Sequence, residues 1–219
     1  MNVRIKICGI VHPDDAELAV AAGADLIGLN FVPESPRYVD PKVAATIAER
    51  VAGRAELVGV FQNAEPEDIE RVLRRVDLDR LQFHGDETEE EVEAVDLPVI
   101  KAIRGADIEA AEGYPGTMLL LDHPSGGGGR GEAWDWSEAA PLVENGFDLI
   151  LAGGLNPENV GGAIGALGDL LPWGVDVASG VEGAEHRKDP EKITRFVAAV
   201  RAAEAPPAEA PPAEEEASG

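Results

Sequence analysis

One cysteine, Cys8, stands in a chain of 219 residues. A single thiol can neither form an internal disulfide nor anchor a thiolate-rich metal site alone. Two readings remain: a small core residue, the commoner fate of a lone buried cysteine, or a reactive thiolate. A free thiol titrates near ~8.5 and needs help to ionise at neutral pH. Lys6 lies two residues before Cys8, and positions i and i+2 of a strand share a face. Lys6 is therefore expected either to favour the thiolate or to pair with a carboxylate at a strand end. Asp122 follows the apolar run Met118-Leu119-Leu120-Leu121. To give up a proton near pH 7, its carboxyl must be held above its ordinary pKa by burial or a neighbouring charge; otherwise it caps a helix or joins a salt bridge. Gln82 and His84 again share a strand face, where His84 either orients a ligand or is a satisfied structural residue. No His, Cys or carboxylate spacing suggests zinc, so no metal is expected.

Two further segments suit an anion. Gly153-Gly154 follows an apolar run and precedes Asn156-Pro157, while Ser179-Gly180 closes the last β-rich run. Glycine lets backbone N–H groups approach a phosphate closely, and a helix starting directly after the turn would add its positive dipole end. Local N–H dipoles can hold a phosphate even in a protein of strongly negative net charge.

The elements that would hold these residues are eight short β-rich runs alternating with amphipathic segments. The runs cover residues 3–8, 26–32, 56–61, 80–83, 98–102, 118–122, 148–152 and 175–178. Ile69, Val72, Leu73 and Val76 follow helical spacing, as do Ile193, Phe196, Val197 and Val200, with a looser stripe at Val43, Ile47 and Val51. Asp40-Pro41, Asn156-Pro157 and Asp189-Pro190 each place a capping side chain before a first-turn proline. Eight such units in one chain predict an α/β fold, a single (β/α)8 TIM barrel over residues 1–203. An open doubly wound sheet is the rival, but no Gly-x-Gly-x-x-Gly follows the first run. Residues 204–219, rich in Pro, Ala and Glu, are expected to form a disordered acidic tail.

Composition excludes several classes. With 42 acidic against 18 basic residues the formal charge is −24, so no basic face is available for a nucleic-acid backbone. The tail holds five Glu, and the body without them still carries −19. Only five of the cations are Lys; scarce Lys with abundant acid resembles proteins of salt-loving organisms, where high salt screens self-repulsion. No run approaches the roughly 20 apolar residues of a membrane span. The first residues lack signal-peptide features, and a cytoplasmic location is expected.

The ordered set of motifs resembles the phosphoribosylanthranilate isomerases of tryptophan biosynthesis. Lys6-Ile7-Cys8-Gly9-Ile10 opens it. Gly28 to Phe31, Ser35-Pro36-Arg37-Tyr38-Val39, Gly59-Val60-Phe61, Leu81-Gln82-Phe83-His84-Gly85, Val99-Ile100-Lys101-Ala102, Leu120-Leu121-Asp122 and Trp134-Asp135-Trp136 follow, and the two glycine sites complete it. The resemblance spans residues 3 to about 203 and implies a (β/α)8 barrel catalysing an Amadori rearrangement without cofactor. It implies Cys8 as general base, Asp122 as general acid and Arg37 as the holder of the anthranilate carboxylate. Lys6, Gln82, His84 and Asp176 would lie at the substrate, and Gly153, Gly154, Ser179 and Gly180 at its phosphate. Members occur as monomers and homodimers. Arg130 departs from the pattern, standing where a Ser or Thr is expected, within a glycine-rich stretch that reads as a mobile lid; Asp135 would brace that loop or cap the next helix. The rivals are a histidine-pathway-like phosphosugar isomerase, which would need two aspartates and a half-barrel repeat, and a non-catalytic barrel that binds a phosphorylated ligand.

Overall fold

The computed structural model describes residues 2–125 and 133–204. Eight parallel strands close into a barrel in chain order. They are β1 (Arg4–Ile7), β2 (Leu26–Asn30), β3 (Glu56–Phe61), β4 (Arg80–Phe83), β5 (Val99–Arg104), β6 (Met118–Asp122), β7 (Leu149–Leu151) and β8 (Gly174–Val177). Each is followed by a helix: α1 (Pro13–Ala22), α2 (Pro41–Val51), α3 (Pro66–Leu73), α4 (Glu89–Glu93), α5 (Ile108–Glu112), α6 (Ala140–Glu144), α7 (Val160–Gly165) and α8 (Pro190–Ala203). Every strand read from the sequence is present, with ends within two residues of expectation. The Gly-rich stretch with Arg130, and the tail from residue 205, lie outside the described residues.

Alternation along each strand divides the side chains between two cores. Odd-numbered positions such as Ile5, Ile27, Leu81, Leu121 and Val175 face the helices, where Ala16, Ile47, Ile69, Val72, Phe196 and Val200 cover them. Even-numbered Leu26, Val58, Ile100, Leu120 and Ile150 fill the barrel interior. Each fully buried Leu, Ile or Phe contributes about 1.5–3 kcal/mol. The strand starts are closed by Arg4 and Arg80, which both pair with Glu56 and lie 5.1 and 5.7 Å from the Trp173 ring. Asp25 and Asp79 accept from the backbone N–H of Ile5 and Leu57.

Capping follows the sequence at Asp40, which accepts from Lys42 N at 2.8 Å, and at Asp189, which accepts from Glu191 N and Lys192 N. Asn156 differs. Its Oδ1 accepts from Glu158 N and Asn159 N, making a side-chain turn first, and α7 starts only at Val160. The helical stripe at 69–76 is also shorter than expected: α3 ends at Leu73, which is exposed, and Val76 is buried from the following turn. Glu204, assigned to the tail by composition, caps α8 and accepts from Val3 N.

Candidate active site

The same alternation that builds the interior carries functional groups to the C-terminal strand ends, where barrels of this type keep their chemistry. Lys6 and Cys8, Gln82 and His84, Asp122 and Asp176 are all even-numbered, so each points inward. Cys8, Gln82, His84, Asp122 and Asp176 line one cavity of about 1120 Å³, together with Arg37, Gly153, Gly154 and Ser179. That volume is ample for a ligand of metabolite size. Two expected residues lie behind the wall. Lys6 is 1% exposed and reaches the site through Asp176, while Gly180 packs against loop seven instead of facing the cavity.

Register explains the first pairing. Lys6 of β1 sits directly opposite Asp176 of β8, and its Nζ donates to Asp176 Oδ1 at 2.8 Å. Burial alone would lower the Lys6 pKa, but the Asp176 carboxylate and the Cys8 sulfur raise it overall, keeping the ammonium charged. The salt-bridge reading of Lys6 holds, and the ammonium also lies beside Cys8. The expected depression of the thiol pKa does not follow. Burial pushes the Cys8 thiol up, Lys6 opposes this, and the Asp176 charge pushes up again, for a net rise. A Cβ on Gly28 would lie 2.7 Å from Cys8 Sγ, so only glycine at that position leaves room for the sulfur.

Asp122 also departs from expectation. Burial raises its pKa, but the hydrogen bond and charge of His84, with a smaller contribution from His123, outweigh burial and leave it below the ordinary aspartate value. His84 Nε2 is 3.2 Å from Asp122 Oδ2, and His84 Nδ1 is 2.9 Å from Gln82 Nε2. Both shifts run against the direction that the expected base and acid roles call for.

Arg37 is not an unpaired loop cation. Its Nε and Nη2 donate to Glu182 at 2.7 and 2.9 Å, in the two-point geometry of a guanidinium and a carboxylate. Lys188, itself buried, adds a 2.9 Å bond to Glu182 and another to Ala178 O. Burial would raise the Glu182 pKa; the Arg37 bonds and the Lys188 charge overcome that and bring it from 4.5 to about 2. Glu182 so fixes one edge of the Arg37 guanidinium and leaves Nη1 outside the pair.

The glycine loops lie side by side. Gly153 and Gly154 have φ of 76° and 77°, in the left-handed region that favours glycine. A Cβ on Gly153 would fall 2.7 Å from His123 N, and one on Gly180 only 2.0 Å from Leu155 O. Asn159 Nδ2 donates to Gly154 O, and Asn159 Oδ1 accepts from Asn156 N. The expected helix dipole directly behind Gly154 is missing, because the Asn156 turn intervenes before the six-residue α7. On the other flank, Trp134 and Trp136 both donate to Ala152 O, and Asp135 caps the short turn Trp136–Ala139 by accepting from Ser137.

Residues 5–199 match the family model of N-(5'-phosphoribosyl)anthranilate isomerase. The Myxococcus xanthus N-(5'-phosphoribosyl)anthranilate isomerase is 43% identical over 209 residues, covering 92% of this chain and 97% of that protein. The chain belongs to the N-(5'-phosphoribosyl)anthranilate isomerase family. It is an isomerase of tryptophan biosynthesis. The crystal structure of the Thermotoga maritima phosphoribosylanthranilate isomerase aligns with a TM-score of 0.85 at 39% identity, over 91% of this chain and 99% of that one. Another structure describes the enzyme of that organism as dimeric. A phosphoribosylanthranilate isomerase in complex with reduced 1-(o-carboxyphenylamino)-1-deoxyribulose 5-phosphate aligns with a TM-score of 0.81 at 38% identity, over 91% and 99% of the two chains.

Sequence reasoning overlooked a group of residues in this isomerase that hold loop eight. Besides Glu182 and Lys188, buried Asp15 of α1 accepts from Arg187 Nε and Nη2 at 2.8 Å and from Lys188 N at 3.1 Å. Lys192 Nζ donates to Glu182 O at 2.6 Å. His186 lines the cavity and contacts Glu182 Oε2 at 3.2 Å. These partners lie up to 173 residues apart, so no local spacing announces them.

Proposed function

We propose that this isomerase converts N-(5-phosphoribosyl)anthranilate to 1-(2-carboxyphenylamino)-1-deoxyribulose 5-phosphate, with Asp122 as general acid and Cys8 as general base. The observation that carries the proposal is that both groups line one cavity together with the glycine loops, which follow the two strands between them in the barrel order. A related enzyme is described in complex with a reduced form of this product. In the reaction Asp122 gives a proton to the ribose ring oxygen as the C1–O bond breaks, leaving an open-chain iminium. Cys8 removes the C2 proton, and the enolamine so formed takes a proton at C1 and loses its hydroxyl proton to become the ketone. Acid and base on separate strand ends act on the two ring atoms bonded to C1 of one bound sugar, the ring oxygen and C2, which is the geometric requirement of such catalysis.

The phosphate would rest on the backbone of Gly153, Gly154 and Ser179, with Gly180 keeping loops seven and eight in register. Arg37, oriented by Glu182, would present its remaining N–H groups to the anthranilate carboxylate. Asp176 would accept a hydrogen bond from the substrate's amine or a hydroxyl, and Lys6 would hold Asp176 in place. No metal or organic cofactor enters these steps. A phosphorylated small molecule is the only partner the mechanism requires, and the assembly would be a monomer or homodimer. No described helix is long and apolar enough to cross a membrane, and we place the enzyme in the cytoplasm. The acidic body is read as an adaptation to high salt.

The test is loss of anthranilate-type fluorescence on freshly made phosphoribosylanthranilate. Cys8→Ala and Asp122→Asn should each lower kcat by about 10²-fold or more, the contribution of a positioned acid or base. Full activity in either variant refutes its role.

A further inference from the structure

The role proposed for Asp122 leaves a difficulty, because the resting His84 contact favours the carboxylate where the reaction needs the acid. Gln82 offers the way out. It is 1% exposed, its Nε2 faces His84 Nδ1 at 2.9 Å, and its Oε1 is buried without a hydrogen-bond partner. Buried acceptors are rarely left unpaired, and one that is calls for an explanation. Nothing among the described residues holds the Oε1 end, so the amide can turn by half a rotation and exchange donor for acceptor at Nδ1. The two ends of an amide are nearly identical in shape and opposite in hydrogen-bond character.

We infer that Gln82 is a positioning residue whose amide orientation decides whether the His84–Asp122 pair carries the proton that the reaction consumes. With Nε2–H toward Nδ1, the imidazole keeps its proton on Nε2 and donates it to the Asp122 carboxylate, so the pair holds one proton. With Oε1 toward Nδ1, that nitrogen carries a proton and donates it to the amide. Nε2 can then accept from a protonated Asp122, or share the same proton with it as an imidazolium–carboxylate pair, and the dyad holds two protons. During turnover one proton leaves the dyad for the ring oxygen as the C1–O bond breaks. The dyad is left with the Nδ1 proton; that proton passes to solvent and Nε2 takes one from solvent as Gln82 turns back, and solvent supplies the next proton. The amide exchanges no atoms and serves as donor to one state and acceptor to the other.

Other charges around the dyad do not substitute for this device. Lys101 is locked onto Glu87 and Gly85 O, and Lys6 onto Asp176. Arg104, opposite Asp122 in the strand register, is exposed, as are Asp86, Glu89 and Asp107 on the cavity wall; His123 is the other titratable group that acts on Asp122. Gln82 is the neutral residue that contacts the imidazole nitrogen turned away from Asp122.

The inference rests on Asp122 as the acid and is tested beside it. In kcat/KM measured from pH 5 to 10, Gln82→Met should move the alkaline limb down by about one to two pH units, the size of one lost hydrogen bond to a charged group. Gln82→Glu, an acceptor only, should restore the limb or raise it. An unmoved limb in both variants, or a fall in rate that is equal at every pH, overturns the inference. If Asp122→Asn keeps full activity, the assignment of the acid fails instead. Should either Gln82 variant fail to fold, ¹⁵N spectra of the wild-type His84 ring decide: Nδ1 should gain its proton at the pH of the alkaline limb, and an Nδ1 that stays unprotonated from pH 5 to 10 overturns the inference.

Discussion

Gly180→Ala probes the phosphate end without touching an ionisable group. The added Cβ would lie 2.0 Å from Leu155 O, 2.9 Å from Asn156 Cα and 3.0 Å from Asn156 Cβ. The first two are backbone atoms, so no side-chain rotation relieves the clash. Ordinary contact starts near 3.4 Å, so loops seven and eight must separate by more than 1 Å. Overpacking of this kind costs about 1–3 kcal/mol, which for a chain of this size lowers Tm by roughly 2–12 °C. A misplacement of about 1 Å can cost on the order of 10²-fold in rate. Because Gly153, Gly154 and Ser179 supply the proposed phosphate contacts, the loss should fall mainly on KM. We expect KM to rise tenfold or more, inhibition by inorganic phosphate to weaken in proportion, and kcat to change least. Steady-state kinetics with thermal melting of the same preparation measures all of these. A variant with wild-type KM and phosphate inhibition would show that the two loops do not form one anion site.

Two other perturbations test the electrostatics. Glu182 has its pKa lowered from 4.5 to about 2 in the folded protein; its stabilisation is complete above pH 4.5 and is lost as pH falls toward 2. Glu182→Gln should therefore be less stable than wild type at neutral pH and show a flatter stability profile between those values, with a raised KM as Arg37 loses its brace; parallel acid-unfolding profiles would contradict this. The body without its tail carries −19, and molar salt cuts the screening length to roughly 3 Å. Melting temperature should accordingly rise from dilute to molar KCl, and a flat series would remove the halophilic reading.

Fold and site were legible to different depths. Strand alternation and proline-marked helix starts report short-range physics, so the eight strands and the shared faces of Lys6 with Cys8 and of Gln82 with His84 followed from spacing, while the resemblance was what put Asp122 and Asp176 at the substrate. Charge states did not. The pKa of Asp122 depends on a histidine 38 residues away, and the occupation of Arg37 depends on Glu182, 145 residues distant. Such pairings are set by barrel closure, which composition and periodicity do not encode. Asn156 shows a nearer limit: its side chain formed a turn with Glu158 and Asn159 where a cap was expected, because both use the same acceptor.

The plug formed by Arg4, Glu56, Arg80 and Trp173 closes the strand-start end, so among the described residues the cavity opens at the other rim. Substrate enters and product leaves past the same rim. Substrate and product therefore share one cavity, and accumulated product should compete with substrate for it. Flux through this step depends on how quickly the following reaction removes what the cavity releases.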